Sequence, residues 1–170
     1  MSNQILSKRP LITGMGAALV DLFADVDEPA LDEIGSPKGS MTLVDAARAD
    51  ALRAGVKVHT YRPGGSAANT VAGLAGLGMQ GGFIGKIGDD ELGRIFQDSL
   101  TDLGVIFPVT PCDPADYPTG NCLVLVTPDA ERTMHTLLGA SVTTDKFDLD
   151  AKLLNETGIL FCEGYVWDSP

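Results

Sequence analysis

The chain has 170 residues, about the length of one ordinary domain, of which 44% are hydrophobic and 21% charged. This composition is typical of a globular protein and argues against a disordered chain. Because the formal net charge is −11, nucleic acid and anionic membrane surfaces are disfavoured as partners, although a local site can still bind an anion such as ATP.

The predicted elements alternate between strands and helices along the chain. Strands are expected over 11–26 (two extended pieces), 56–61, 82–88, 105–110, 120–137 (a hairpin) and 159–167. Helices are expected early in 28–40 and over 42–55, 66–77, 89–104 and 148–158. Such alternation predicts an α/β fold with a mostly parallel sheet. The hairpin and the extended piece near 19–26 interrupt it and predict a small additional sheet.

The cysteines predict neither a disulfide framework nor a metal site. Cys112, Cys122 and Cys162 are odd in number and contain no C-x-x-C pair, so buried free thiols in a reducing compartment are expected. The longest apolar runs are also too short to span a membrane. We therefore predict a cytoplasmic protein without a bound metal.

Two nucleotide-binding motifs are excluded by their spacing. "GGFIGKI" has too few residues between its glycines for a phosphate loop, and Ile87 stands after Lys86 where a hydroxyl is required. "GMGAAL" lacks the third glycine of a dinucleotide site, and "GLAGLG" lies within a predicted helix.

The stretch "PGGSAANTVAGLAGLG" places Gly64 and Gly65 where a strand turns into a helix. Glycines there let a ligand approach backbone N–H groups. Asn69 follows one turn later, and its amide can donate to and accept from sugar hydroxyls. The alternative is that Asn69 is a local cap and the glycines only permit close packing.

Two acids are further candidates. Asp21 follows an apolar strand and a Gly-rich turn, which is a typical place for a ligand-binding residue in an α/β sheet. An exposed turn acid is the alternative. Glu163 is an acid in a predicted buried strand, which suggests a binding or supporting role. Arg132, His59 and His135 have no telling partner in the sequence.

These stretches together resemble the ribokinase-like (PfkB) family of sugar and nucleoside kinases. "GMGAALVD" is similar to the first strand of the family with its substrate-binding Asp, and "GGSAANTVAGLAGLGMQGGFIGKIGDDELG" is similar to the first family signature. "PTGNCLVLVTPDAERTM" is similar to the lid hairpin. "KGSMTLVD" and "EGYVWD" most resemble the adenosine-kinase-like bacterial branch.

The resemblance implies a ribokinase-like sheet flanked by helices, with a small β-sheet lid whose strands lie near 19–26 and 120–137. It implies that Asp21 and Asn69 bind substrate hydroxyls, that Gly64 and Gly65 give backbone approach, and that Ser66 and Glu163 lie at the same site. Sugar-specific members often have Lys where this chain has Ser66, which favours a nucleoside acceptor.

The family also implies ATP and Mg²⁺, but the groups that use them are expected beyond the chain end. The second signature, D-T-x-G-A-G-D with the catalytic Asp, and the N-x-x-E stretch do not occur here. Residues 1–170 are therefore expected to be the N-terminal, substrate-binding part of the domain, without the ATP-binding part, and to be inactive alone.

Two functions remain open at this point. The first is ATP-dependent phosphorylation of a hydroxymethyl group on a nucleoside or sugar, with an adenosine-like acceptor favoured. The second is a non-catalytic module, derived from a kinase, that binds a small molecule or a partner. The analogy also allows a homodimer formed through the lid.

Overall fold

The computed structural model describes residues 10–165 of the chain. These residues form eight strands in two sheets, of three and five strands, together with five α-helices and two 3-10 segments. Elements are numbered along the chain. The 3-10 segments are Gly139–Thr143 and Lys146–Asp148.

The three-stranded sheet is entirely parallel. Its strands are β1 (Leu11–Met15), β5 (Gly81–Ile84) and β8 (Thr157–Cys162). The order is β5-β1-β8, with β1 paired to both neighbours. Strand β5 is buried along its length. Strand β8 lies at the edge and exposes three consecutive apolar side chains by 41–51%, namely Ile159, Leu160 and Phe161.

The five-stranded sheet is mixed. Its strands are β2 (Leu19–Asp25), β3 (Met41–Leu43), β4 (Thr60–Gly64), β6 (Gly120–Val126) and β7 (Arg132–Leu137). The order is β3-β7-β6-β2-β4. Strands β6 and β7 form an antiparallel hairpin, β4 is antiparallel to β2, and β2–β6 and β3–β7 are parallel pairs.

Most of the helices begin directly after an aspartate that caps them. They are α1 (Glu28–Ile34), α2 (Ala46–Ala54), α3 (Ser66–Gly76), α4 (Glu91–Asp102) and α5 (Ala151–Glu156). Four of these five helices have an Asp at the N-cap whose side chain accepts a backbone N–H, and α3 has Gly65 there instead. Helix α3 therefore needs a capping group from elsewhere in the chain.

One face of the five-stranded sheet is packed and the other is partly open. On β2, Val20, Leu22 and Ala24 are fully buried in the main core, whereas the alternate residues Leu19 and Asp21 are only partly buried. Three phenylalanines from β5, α4 and the segment that follows α4 meet in the same core with ring centroids 5.3–5.7 Å apart, namely Phe83, Phe96 and Phe107. The core therefore covers one face of the five-stranded sheet and leaves the face that carries Asp21 partly exposed.

The predicted α/β class with a second sheet is confirmed, and most predicted elements are found within a few residues of their expected positions. Both segments expected for the lid, 19–26 and 120–137, lie in the five-stranded sheet. Two further strands, β3 and β4, pair in the same sheet. The end of the predicted strand 159–167, with the rest of "EGYVWD" from Val166 on, lies outside the described residues.

Two boundaries differ for physical reasons. The predicted helix 42–55 begins later, at Ala46, because Met41–Leu43 pairs with β7 instead. The predicted strand 56–61 is shifted to Thr60–Gly64 and includes Pro63. Strand β4 lies at the edge of its sheet, where a proline that cannot donate is tolerated.

Candidate functional site

The candidate site lies where the carboxyl ends of β1 and β8 meet the open face of the five-stranded sheet. Three short segments converge there: the connection 16–18 from β1 to β2, the turn Gly64–Gly65 from β4 into α3, and Glu163 directly after β8. Ligands of α/β proteins commonly bind outside the carboxyl ends of the strands.

Asp21 lies on the open face of β2, in register with Arg62 on β4 and Cys122 on β6. No hydrogen bond from residues 10–165 reaches its carboxylate, which is partly buried. Burial raises the pKa of Asp21, and the nearby charge of Arg132 partly offsets that rise. A half-buried carboxylate without a donor is free to accept hydrogen bonds from ligand hydroxyls.

The glycine turn is packed too tightly for side chains. A Cβ added to Gly64 would lie 2.6 Å from Asp21 Oδ1. Gly65 has φ +93°, and a Cβ there would lie 2.3 Å from the carbonyl oxygen of Ala17. The backbone of the turn is thus in direct contact with the Asp21 carboxylate and with the connection from β1 to β2.

Asn69 lies one turn into α3, where its backbone N–H donates to the Gly65 carbonyl at 2.9 Å. Its side chain is exposed and makes no hydrogen bond with the described part of the chain. The alternative that Asn69 caps the helix is wrong, because Gly65 occupies the N-cap position. The amide of Asn69 is therefore available to a ligand.

Glu163 supplies the missing cap. Its side chain is 7% exposed, with Oε1 accepting from the Ala17 N–H at 2.6 Å. Oε2 accepts from the Ser66 hydroxyl at 2.5 Å and from the Ala67 N–H at 3.0 Å. Glu163 thus joins the β1–β2 connection to the N-terminus of α3, a place where negative charge is favourable.

A cavity of about 300 Å³ opens beside this network, at the lower end of the size range of small-molecule sites. Three of the predicted site residues line it: Gly65, Ser66 and Glu163. The remaining lining is mostly apolar and comes from the five-stranded sheet and from connecting segments: Ala17, Leu19, Met41, Leu43, Thr136, Leu138 and Tyr165. Asp21, Gly64 and Asn69 do not line this cavity. Asp21 lies in one row across four strands with Cys122 and with the lining residues Thr136 and Leu43.

The sequence did not identify the apolar lining. The predicted hairpin 120–137 includes Thr136, whereas Leu138 lies just beyond it. Met41 and Leu43 carried no strand signal, because a three-residue edge strand cannot be distinguished from the beginning of a helix by its pattern.

Of the three residues without a predicted partner, Arg132 lies near Asp21, where its charge partly offsets the rise in the pKa of that carboxylate, and the two histidines lie elsewhere. Arg132 is exposed, and His59 is exposed with Nε2 3.5 Å from Asp25. His135 is buried on the opposite face of β7, where Nε2 lies 2.6 Å from the Ser36 hydroxyl. The three cysteines are free, as predicted, but the prediction that all are buried is wrong: Cys162 is exposed on the edge strand β8 and Cys112 is partly exposed.

The described residues also form a second cavity, but they contain neither a group of metal ligands nor a helix suited to a membrane. A larger cavity, of about 450 Å³, lies between α2 and the start of α4 and is lined partly by charged residues such as Asp50, Arg53 and Glu91, but by none of the predicted site residues. Within residues 10–165 no three His, Cys, Asp or Glu side chains are grouped as metal ligands. None of the described helices is long and apolar enough to cross a membrane.

A parallel α/β core, a second sheet and a glycine turn against the Asp21 carboxylate are typical of the ribokinase-like fold. Residues 40–169 match the pfkB family of carbohydrate kinases, and the chain belongs to that family.

Solved structures share this fold. The chain aligns with an adenosine kinase from Sinorhizobium meliloti with a TM-score of 0.84 and 38% identity, covering 96% of this chain and 50% of that one. A probable sugar kinase from Rhizobium etli gives a TM-score of 0.84 and 34% identity, covering 95% and 49%. This chain therefore spans about half the length of these solved relatives.

A curated relative matches over a shorter stretch. A 5-dehydro-2-deoxygluconokinase from Bacillus anthracis is 44% identical over 64 residues, which are 38% of this chain and 19% of that protein. The chain is thus similar both to a kinase named for a nucleoside and to a kinase named for a sugar derivative.

Proposed function

We propose that this chain carries the acceptor-binding site of an ATP-dependent small-molecule kinase, with an adenosine-like nucleoside as the favoured acceptor. In the proposed reaction, a hydroxymethyl oxygen of the acceptor bonds to the γ-phosphorus of ATP. The bond from that phosphorus to the bridging oxygen breaks, ADP leaves, and the hydroxyl proton is released.

The main observation that supports the proposal is the contact of Asp21 with the glycine turn. Asp21 has a half-buried carboxylate that accepts no hydrogen bond from residues 10–165, and Gly64 leaves the space that this carboxylate occupies. Two vicinal hydroxyls of a ribose would donate to Asp21, and the amide of Asn69 would bind a further hydroxyl. Gly65 would let the acceptor approach the backbone at the start of α3.

The lining of the cavity supports a nucleoside over a free sugar. Leu19, Met41, Leu43 and Leu138 present apolar surface beside the glycine turn, and an aromatic base would cover such surface better than hydroxyl groups would. Met41 and Leu43 are 54% and 59% exposed without a ligand. The small Ser66, in the position where sugar-specific relatives often have Lys, is consistent with this preference.

ATP would supply the transferable phosphoryl group, and Mg²⁺ would offset its charge. No residue of this chain is assigned to hold either of them or to deprotonate the acceptor, because the sequence lacks both stretches that carry these roles in the family. We therefore propose residues 1–170 as the acceptor-binding part of a ribokinase-like domain. The exposed apolar side chains of β8 offer a surface on which further elements of a whole kinase would pack.

Calorimetric titration tests the acceptor site. Adenosine, ribose and fructose are titrated separately into the wild-type protein, Asp21→Ala and Asp25→Ala. Asp25 is the matched control because it is an exposed acid on the same strand. We expect adenosine to bind most tightly and Asp21→Ala alone to weaken binding. Unchanged affinity in Asp21→Ala would contradict the role of Asp21, and tighter binding of fructose or ribose would replace the nucleoside by a sugar.

The second candidate function is a binding module without turnover. Phosphoryl transfer from ATP to adenosine, assayed on the product of the complete reading frame that contains these residues, separates the two. Adenosine-dependent release of ADP supports the kinase. Adenosine binding without ADP release, by a protein that melts cooperatively as a monodisperse particle, supports the module.

A further inference from the structure

We infer that Glu163 is a positioning residue, not an acceptor ligand: its carboxylate clamps together the two chain segments that carry Asp21 and Asn69. For its effect on acceptor binding, this inference rests on the proposed function. The clamp itself is defined by contacts within the protein and can be tested without any ligand.

The backbone of Glu163 is fixed by the central sheet. Strand β8 pairs with β1 up to Met15 and Cys162, and the Glu163 N–H then donates to the Met15 carbonyl at 3.0 Å. On the other side of β1, the Gly16 N–H donates to the Ile84 carbonyl at 3.1 Å. These hydrogen bonds therefore hold the backbone of Glu163 beside Gly16, the first residue of the β1–β2 connection.

The Glu163 side chain occupies the space that a side chain at position 16 would need. A Cβ on Gly16 would lie 2.3 Å from Glu163 Cδ and 2.6 Å from its Oε1. The contact with Glu163, 147 positions later in the chain, thus explains why the second position of "GMG" is a glycine. This glycine permits the carboxylate to reach across β1 towards α3.

The two oxygens of Glu163 hold different segments. Oε1 holds the Ala17 N–H, four residues before Asp21, and Oε2 holds Ser66 and the Ala67 N–H, two residues before Asn69. The segments also contact each other directly, because the Gly65 backbone packs against the Ala17 carbonyl. One carboxylate consequently sets the relative position of the two candidate acceptor-binding groups.

The same contacts leave little of Glu163 for a ligand. A carboxylate offers about four acceptor positions. Three protein donors already occupy three of them at 2.5–3.0 Å. Ser66 is likewise engaged, since its hydroxyl hydrogen points to Glu163 Oε2. Both residues border the cavity, but their polar atoms bind the protein itself.

Amide hydrogen exchange by NMR, combined with calorimetry, tests the clamp. Glu163→Gln replaces one acceptor oxygen with an NH₂ donor that faces protein donors, so one side of the clamp is lost. In the ligand-free protein, exchange at Ala17, Ala67 or both is expected to accelerate at least about tenfold, the equivalent of one net hydrogen bond. Adenosine affinity is expected to fall by a similar factor. Glu33→Gln, an exposed acid on α1, is the matched control and should change neither.

Ser66→Ala keeps the test decisive if Glu163→Gln does not fold. Because Ser66 shares Oε2 with Ala67, we expect faster exchange at Ala67, unchanged exchange at Ala17 and weaker adenosine binding. Weaker binding with unchanged exchange, in the variant that folds, would make its side chain a direct ligand and overturn the inference. Faster exchange with unchanged adenosine affinity would also overturn it.

The proposed function and the clamp can be contradicted independently of each other. If the wild-type protein binds neither adenosine nor a sugar, the proposed function is contradicted. Exchange at Ala17 and Ala67 then still decides whether the clamp exists, and exchange that is the same in the wild type and Glu163→Gln overturns it.

Discussion

Asp21 and Gly64 are neighbours across the β2–β4 edge, and the Asp21 carboxylate occupies the volume where a side chain at position 64 would stand. The separation from that Cβ position to Asp21 Oδ1 is 2.6 Å, and to Oδ2 it is 2.8 Å. Gly64 does not have a positive φ, so its requirement for glycine comes from the space that the acid needs and not from backbone strain. The glycine and the acid therefore act as one unit of the candidate site.

Gly64→Ala should displace the Asp21 carboxylate and weaken acceptor binding. Loss of one charge-assisted hydrogen bond of about 1.5–3 kcal/mol predicts a fall in adenosine affinity of about ten- to a hundredfold. Gly73→Ala is the control, because this exposed position in α3 has open space around it. It should leave affinity unchanged and stabilise the protein by about 0.5–1 kcal/mol. Titration calorimetry and urea unfolding measure both, and equal affinities in the two variants would contradict the Asp21–Gly64 unit.

Asp21→Asn should weaken binding and yet stabilise the free protein at neutral pH. Burial raises the folded-state pKa of Asp21 above 3.8, so the native state holds this proton more tightly than the unfolded state does. The wild-type free energy of unfolding accordingly loses a contribution as pH rises from 3.8 through the folded-state pKa. The asparagine variant has no such loss.

Urea unfolding of the wild type and Asp21→Asn at pH 4 and pH 7 checks this sign. The stability gained by the variant should be larger at pH 7. Asp25→Asn, on the same strand, controls for the change in net charge. A gain of the same size at both pH values would show that ionisation of Asp21 carries no penalty in the folded protein. Acceptor binding to the wild type should also weaken as Asp21 is protonated.

Local signals in the sequence were sufficient to propose the polar residues of the candidate site, and Glu163 as a candidate, but not the contacts that Glu163 makes. Gly64, Gly65 and Asn69 stand in one short segment, where a strand turns into a helix, and Asp21 follows the first strand. Their chemistry is readable from residue type and position. The bonds of Glu163 to Ala17 and Ala67 join residues 146 and 96 positions apart, and no local pattern encodes such a pairing. The apolar lining was missed because it depends on the pairing of β3 with β7.

The Asp90–Thr119 contact is a second connection between distant segments. Asp90 caps α4 by accepting from the Gly93 N–H at 2.8 Å, and it also accepts from the Thr119 N–H at 2.8 Å and the Thr119 hydroxyl at 2.6 Å. Thr119 is fully buried and immediately precedes β6. The second Asp of "GKIGDDELG" therefore ties the start of α4 to the five-stranded sheet.

Asp90→Ala should cost more than the loss of a helix cap. The cap contributes about 0.5–2 kcal/mol, and a buried Thr119 N–H without a partner adds about 1–3 kcal/mol, for a loss of about 1.5–5 kcal/mol. Asp45→Ala is the matched control, because the Asp45 side chain caps α2 through the Arg48 N–H at 2.8 Å and accepts no other hydrogen bond from residues 10–165. It should cost about 1 kcal/mol. If urea unfolding gave equal losses, the Thr119 contacts would contribute nothing.

His135 should make the stability of the five-stranded sheet dependent on pH. Its imidazole is 2% exposed, Nε2 is paired with the Ser36 hydroxyl at 2.6 Å, and Nδ1 is buried without a partner among the described residues. Burial, and then the charge of Arg48 on α2, lower the pKa of His135 below 6.5. The unfolded state therefore binds this proton more readily, and the contribution of neutral His135 is present above about pH 6.5 and lost as pH falls below it.

Urea unfolding between pH 7.5 and 5.5 measures this dependence in the wild type, His135→Leu and His59→Leu. We expect the free energy of unfolding to decrease with falling pH in the wild type and to decrease less in His135→Leu, which has no proton to bind. His59→Leu is the control for the removal of an exposed imidazole. A slope in His135→Leu as steep as in the wild type would assign the pH dependence to groups other than this buried imidazole.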